Sequence, residues 1–240
     1  MKILAITLLL ILLIFIAIDV LRTGRLISVG RELAEKTKPF MRGQSDARIK
    51  ILIIGDSTAV GTGARVPEES IAGLVAITFP ETEITNLGVN GAKTHELISR
   101  LESIRPQQFD LIMIHIGGND IVRFTNLDEL SSNIATVLKL ATSKARFVTL
   151  TTTGNVGTAQ LLPYGTRWLF EARTRKVRTL FMASAAEHHV DYIDLFREKD
   201  KDPFARDPHT YYAADIFHPS SIGYKDWYTL IEPTLKRIPF

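Results

Sequence analysis

The stretch Ile49-Lys50-Ile51-Leu52-Ile53-Ile54-Gly55-Asp56-Ser57-Thr58 decides the fold. After Lys50 four aliphatic residues follow without a polar break. That run is too short for an ordinary helix and too uniformly apolar for a strand with one wet face. It reads as a strand, Ile49–Ile54, buried on both faces, which ends at a glycine and delivers a serine to the edge of a sheet. Runs of the same kind recur further along, at Ile84–Leu87, Leu111–Ile116, Phe147–Thr151 and Val190–Leu195. Between them the spacing is helical near 68–78, 93–104, 127–143 and 167–187, with a last helix near 221–236. Short apolar strands alternating with helices predict an α/β fold: a five-stranded parallel sheet with right-handed crossovers, covered on both faces as a three-layer α/β/α sandwich. No internal repeat is evident.

Composition agrees with a folded domain. The chain has 240 residues, 45% hydrophobic and 23% charged, with 15 Gly and 10 Pro, which excludes collagen-like, low-complexity and wholly disordered classes. The absence of Cys removes a disulfide framework, a thiol nucleophile and a Cys-ligated zinc. The net charge of +3 sits at the N-terminus: residues 1–40 hold six Lys/Arg against three acids, leaving 23 basic and 23 acidic residues in 41–240. A neutral body argues against a nucleic-acid partner.

Ile3 to Ile18 is apolar apart from Thr7, and Val20 and Leu21 extend the run past Asp19. Residues 1–21 therefore read as a single transmembrane anchor or as a signal segment removed on export. Ala17-Ile18-Asp19 lacks the second small residue of a cleavage site, and Arg22 and Arg25 follow at once, which favours the uncleaved anchor. The basic residues after the run favour a cytoplasmic domain, whereas most such anchors deliver a hydrolase outward, so the side stays open. Residues 22–47 read as a juxtamembrane helix plus linker, and 48–240 as the domain.

In a doubly wound sheet ligands bind beyond the C-terminal strand ends. There the chain carries Gly55-Asp56-Ser57-Thr58, Gly88-Val89-Asn90-Gly91 and Gly117-Gly118-Asn119-Asp120, and a late loop carries Asp215-Ile216-Phe217-His218. Acyl transfer by a serine needs a hydroxyl, a base, a group that orients the base, and donors for the oxyanion. Ser57, His218 and Asp215 supply the first three. The Ser57 and Gly88 N–H groups and the Asn119 amide are the candidate oxyanion donors.

Gly55-Asp56-Ser57, Gly88, Gly117-x-Asn119-Asp120 and Asp215-x-x-His218 resemble, in order, the four blocks of the SGNH (GDSL-type) hydrolases. The resemblance covers residues 49–236. It implies a flavodoxin-like SGNH hydrolase domain that is a carboxylic ester hydrolase, with Ser57, Asp215 and His218 catalytic and Ser57, Gly88 and Asn119 forming the oxyanion hole. It implies no cofactor and no metal. The partner it implies is a small-molecule ester; the apolar N-terminal helix adds the membrane as a partner and a lipid among the candidate esters, and nothing fixes an oligomeric state. Block one departs from the commonest form, with Thr58 where leucine is usual.

Taken singly, Ser57 could be a helix cap, Asp215 a turn residue and His218 a surface histidine; the convergence of the set argues otherwise. Asp56 and Asp120 read as hydrogen-bonders that fix loops, and His115 as a core histidine. Gly55-x-Ser57-x-Ala59 approaches the elbow of the α/β-hydrolases, but an acid three residues from its histidine does not belong there. Ala92 spoils a phosphate-loop reading of Gly88–Thr94, and the adjacent His188-His189 make no convincing metal pair. Leu161-Leu162-Pro163-Tyr164 with Trp168-Leu169-Phe170 is either an apolar acyl-binding lip or a helix start with its core face. The expected function is a serine esterase or lipase acting on lipid or short acyl esters through an acyl-enzyme. The alternatives are a carbohydrate O-acetylesterase or thioesterase of the same fold, or an inactive membrane-tethered binding domain.

Overall fold

The structure is a computed structural model that describes residues 2–44, 46–105 and 108–240. Met1 of the expected anchor and Ser45 of the expected linker lie outside the described residues. Five strands, β1 (Ile49–Gly55), β2 (Thr82–Asn86), β3 (Phe109–His115), β4 (Ala145–Thr151) and β5 (Asp191–Ile193), form one sheet in the order β2-β1-β3-β4-β5. All four pairings are parallel, with Ile51 opposite both Ile84 and Leu111. The apolar runs are strands for the reason they read as strands: Ile51, Leu52, Ile53 and Ile54 each have 0% exposure, so neither face of β1 meets water.

The helices are α1 (Lys2–Lys36), α2 (Ser57–Val60), α3 (Ile71–Thr78), α4 (Glu96–Glu102), α5 (Gly118–Val122), α6 (Leu127–Lys144), α7 (Arg167–Glu187), α8 (Pro203–Arg206), α9 (Pro208–Tyr211) and α10 (Ser221–Leu235). α3 packs with α10, while α4 packs with α6 and α6 with α7, giving the two outer layers. Starts follow capping chemistry: Ser70 accepts from the Gly73 N–H, Asn126 from Asp128 and Glu129, and Ser220 from Gly223. The long helices fall within a few residues of the expected spans. The four-residue helices α2, α8 and α9 are too short to show a hydrophobic period.

The strand order reverses between β1 and β3, and the loops that follow these two strands diverge there to leave a crevice. Ser57 starts the helix after β1, and Asn119 lies in the helix after β3.

α1 does not stop where the apolar run ends. It continues unbroken through residues 22–36, where a juxtamembrane helix was expected, and its second half lies on the domain. The segment beyond it is stitched down too. Arg42 pairs with Ile84 on the free edge of β2, and its guanidinium donates to the carbonyls of Ala76, Phe79 and Thr82. That pairing covers a strand edge otherwise open to another chain. α1 is long and apolar enough to cross a membrane.

Candidate active site

Asp56 follows β1 and caps α2: its Oδ1 accepts the Thr58 N–H at 2.9 Å and the Thr58 hydroxyl at 2.8 Å. The cap sets the turn that carries Ser57, and it uses Thr58 for a purpose that leucine could not serve. Ser57 is 8% exposed. Its Oγ lies 3.1 Å from His218 Nε2, and His218 Nδ1 lies 2.5 Å from Asp215 Oδ2. A carboxylate accepts only, so Nδ1 carries the proton and Nε2 is left to receive that of the serine.

The loop that holds the acid and the histidine is tightly determined. Asp215 Oδ1 accepts the N–H groups of Phe217 at 3.1 Å and His218 at 3.0 Å, and Asp215 is fully buried. The Ala213 N–H donates to the His218 carbonyl at 2.7 Å, closing the loop on itself. Between the two functional residues Ile216 has φ +51°, a left-handed conformation that costs a β-branched residue on the order of 1–2 kcal/mol. Its carbonyl accepts the N–H groups of Gln160 and Leu161, which hold it there.

A cavity of about 530 Å³ opens beside Ser57 and His218. Asn119 lines it and Gly88 does not. The Gly88 N–H donates to Asn86 Oδ1 at 2.9 Å, and its Cα packs so closely behind α2 that a Cβ would sit 2.7 Å from the Val60 nitrogen. The structure therefore does not bring Gly88 to the site with Ser57 and Asn119. Gly91, three residues on, lines the cavity instead, with φ +80° and an N–H that has no backbone partner among the described residues. Ser57, as the first residue of α2, likewise has an N–H without an intrahelical partner. The available donors at the cavity are thus Ser57, Gly91 and Asn119.

Other residues singled out in the sequence have structural partners. Asp120 Oδ2 accepts from the Thr94 N–H and hydroxyl at 3.0 and 2.7 Å, tying α5 to the loop after β2. Burial pushes the Asp56 carboxyl up to about 6, against the opposing pull of the Thr58 hydrogen bonds. His115 is buried with no partner for Nε2, and burial pushes it down to about 4, so it stays neutral. His188 hydrogen-bonds the Ser184 carbonyl, and no metal-holding cluster occurs among the described residues. Leu161 and Leu162 line the cavity, whereas Trp168 is 63% exposed rather than part of a core face.

The cavity also takes in residues that no sequence signal marked: Asp202, Phe204 and Trp227 from the far side, and Ile27, Gly30, Arg31 and Ala34 from α1. Asp202 caps α8 and is pushed up to about 6 by burial.

Residues 53–225 match the model of the GDSL-like Lipase/Acylhydrolase family. The GDSL-like esterase Rv1075c of Mycobacterium tuberculosis is 26% identical over 189 residues, covering 73% of this chain. The chain spans 58% of that relative's length. A solved member of the lipolytic G-D-S-L family from Veillonella parvula superposes with a TM-score of 0.63 at 20% identity, over 78% of this chain and 98% of the other. Axe2, an acetylxylan esterase from Geobacillus stearothermophilus, gives 0.53 at 24% identity, over 81% and 95%. At those identities the two structures speak to the fold.

Proposed function

The chain belongs to the GDSL-like Lipase/Acylhydrolase family, and from that premise we propose that it is a serine esterase in which Ser57, His218 and Asp215 form the catalytic triad. The observation that carries the reading is the unbroken relay from Ser57 Oγ through both ring nitrogens of His218 to a buried carboxylate. Ser57 Oγ attacks the ester carbonyl while His218 Nε2 takes its proton. The oxyanion is received by the N–H groups of Ser57 and Gly91 and by the Asn119 amide. His218 then protonates the departing alkoxide, and the alcohol leaves an acyl-enzyme on Ser57. Water, deprotonated by the same nitrogen, releases the acid and restores the serine. Asp215 holds the Nδ1 tautomer and stabilises the imidazolium in each half-reaction.

The substrates are carboxylic esters with an acyl chain. A cavity of about 530 Å³ lined by Leu161, Leu162, Val156, Phe204 and Trp227 has room and apolar surface for more than an acetyl group. α1 holds the enzyme to a membrane through its apolar first half. Hydrolysis of a p-nitrophenyl ester series from acetate to palmitate, by the full chain in detergent beside Ser57→Ala, tests this reading. Ser57-dependent turnover supports it. No turnover, together with no reaction of the folded chain with a fluorophosphonate, sinks it in favour of a binding domain.

A further inference from the structure

None of the chemistry above requires α1, yet α1 lies against the active site. In its first half the larger apolar residues from Ile3 to Ile18 are 48% exposed or more. From Asp19 onward one face turns inward at every third or fourth residue, through Arg22, Leu26, Gly30 and Ala34, the spacing of a docked helix. Two clamps fix it. Asp19 accepts the Tyr164 N–H at 2.9 Å and pairs with Arg22, whose guanidinium donates to the carbonyls of Gln160 and Leu162. At the other end Asn90 Nδ2 donates to the Ala34 carbonyl at 3.0 Å, while Thr62 donates to Asn90 Oδ1 at 2.6 Å. Between the clamps Gly30 meets the triad, for a Cβ there would lie 2.9 Å from Asp215 Oδ2. The helix backbone thus helps to keep water from the carboxylate that orients His218. Ile27, Gly30, Arg31 and Ala34 line the cavity that holds Ser57.

The point at which the apolar run ends is marked on the domain as well. The Phe15 ring lies 5.9 Å from that of Tyr164, and the Arg22 guanidinium stacks 4.3 Å above the same Tyr164 ring. Tyr164, Trp168 and Leu169 are exposed beside it, while Leu161 and Leu162 from the same segment reach into the cavity. Exposed Trp and Tyr with an adjacent Arg suit the headgroup level of a bilayer.

We propose that α1 is anchor and active-site wall in a single rod. Residues 3–18 cross the bilayer, residues 19–36 close one side of the substrate cavity, and the Tyr164–Leu169 lip rests on the membrane surface, so that the cavity receives the acyl chain of a membrane lipid ester. The part concerning substrate rests on the esterase reading of Ser57; the part concerning the lip does not. A rod fixed at both clamps sets the height of Ser57 above the lipid, and a flexible tether could not do so.

Two measurements on the full chain in lipid nanodiscs test this. The chain has two tryptophans, Trp168 exposed and Trp227 buried, so brominated lipid reports on the lip alone. Emission should fall by at least a third with brominated lipid, and Trp168→Phe should remove that fall. Unquenched emission would overturn the proposal whatever the turnover. Ile27→Trp and Ala34→Trp, which intrude on the cavity from α1, should each lower the ratio of decanoate to acetate ester hydrolysis at least tenfold. Gly24→Trp, on a face with nothing within 4 Å, should keep the wild-type ratio. A wild-type ratio in both wall variants would overturn the assignment of α1 to the cavity. Loss of all Ser57-dependent turnover in the unmodified chain would instead fall on the esterase reading, and quenching would still decide where the lip sits.

Discussion

On one side of the cavity Ser57, Asp215 and His218 stand on turns that supply their own hydrogen bonds, within a few residues of a buried strand or within one closed loop. On the other side α1 reaches the domain from the far end of the chain, through a glycine, an asparagine and an Asp–Arg pair. The first wall is polar, and its functional groups are oriented mainly by bonds within their own turns; the second is lined largely by apolar residues and held by contacts more than fifty residues apart in sequence. On the proposed reading the difference separates two jobs. Charge development at a reacting carbonyl needs groups already fixed in place, whereas an acyl chain needs only a surface of the right shape.

If the division holds, changes on the polar side lower the rate for every ester. Ser57→Ala should reduce kcat by about 10⁶-fold, as for nucleophile removal in serine proteases, read by p-nitrophenyl acetate hydrolysis, with thermal unfolding in detergent, followed by circular dichroism, close to wild type. Asn119→Ala should cost about 10²–10³ in kcat with little change in KM. An equal rise in KM instead would make Asn119 a substrate contact rather than an oxyanion donor.

Asp56 lies beneath the same wall and tests it through pH. Its carboxyl is pushed up from 3.8 to about 6, so between those values the folded chain holds a proton that the unfolded chain has lost. The associated stability is complete below about pH 4 and lost as the pH rises through 6. Asp56→Asn should therefore become more stable relative to wild type across that window, by ~3 kcal/mol at most. His115 and Asp202 titrate in both chains, so the difference between the two denaturation curves isolates Asp56.

The smallest effect belongs to a pair of glycines in α1. Gly30→Ala should lower kcat about tenfold, because its Cβ must displace the Asp215 carboxylate. Gly24→Ala meets nothing, and should leave kcat unchanged while stabilising the helix by roughly 0.5–1 kcal/mol. Equal behaviour of the two variants would erase the distinction between docked and free faces of α1.

Much of the polar wall could be read from the sequence. The strands were legible because a parallel sheet buries both faces, so Ile51–Ile54 reads as a run and the residue after it must be at an edge. Asp215 and His218 were legible because three residues suffice to bring an acid to a ring nitrogen. Gly88 and Gly91 were not separable: both follow β2, and only the course of the loop decides that Asn86 takes the first N–H while the second faces the cavity. The docking of α1 was hidden because Leu26 shares its inward face with Asp19, Arg22, Gly30 and Ala34, small or charged residues that break any continuous apolar stripe.

The sheet, the family and the neighbourhood of Ser57 are written in the order of residues, since each depends on residues close together in the chain or on burial that composition reveals. Which glycine faces the cavity, and that the N-terminal helix forms one of its walls, emerged with the folded arrangement. Those outcomes depend on steric fit and hydrogen bonds between segments far apart in sequence, as between Gly30 and Asp215, and a pattern of residue types does not encode such a fit.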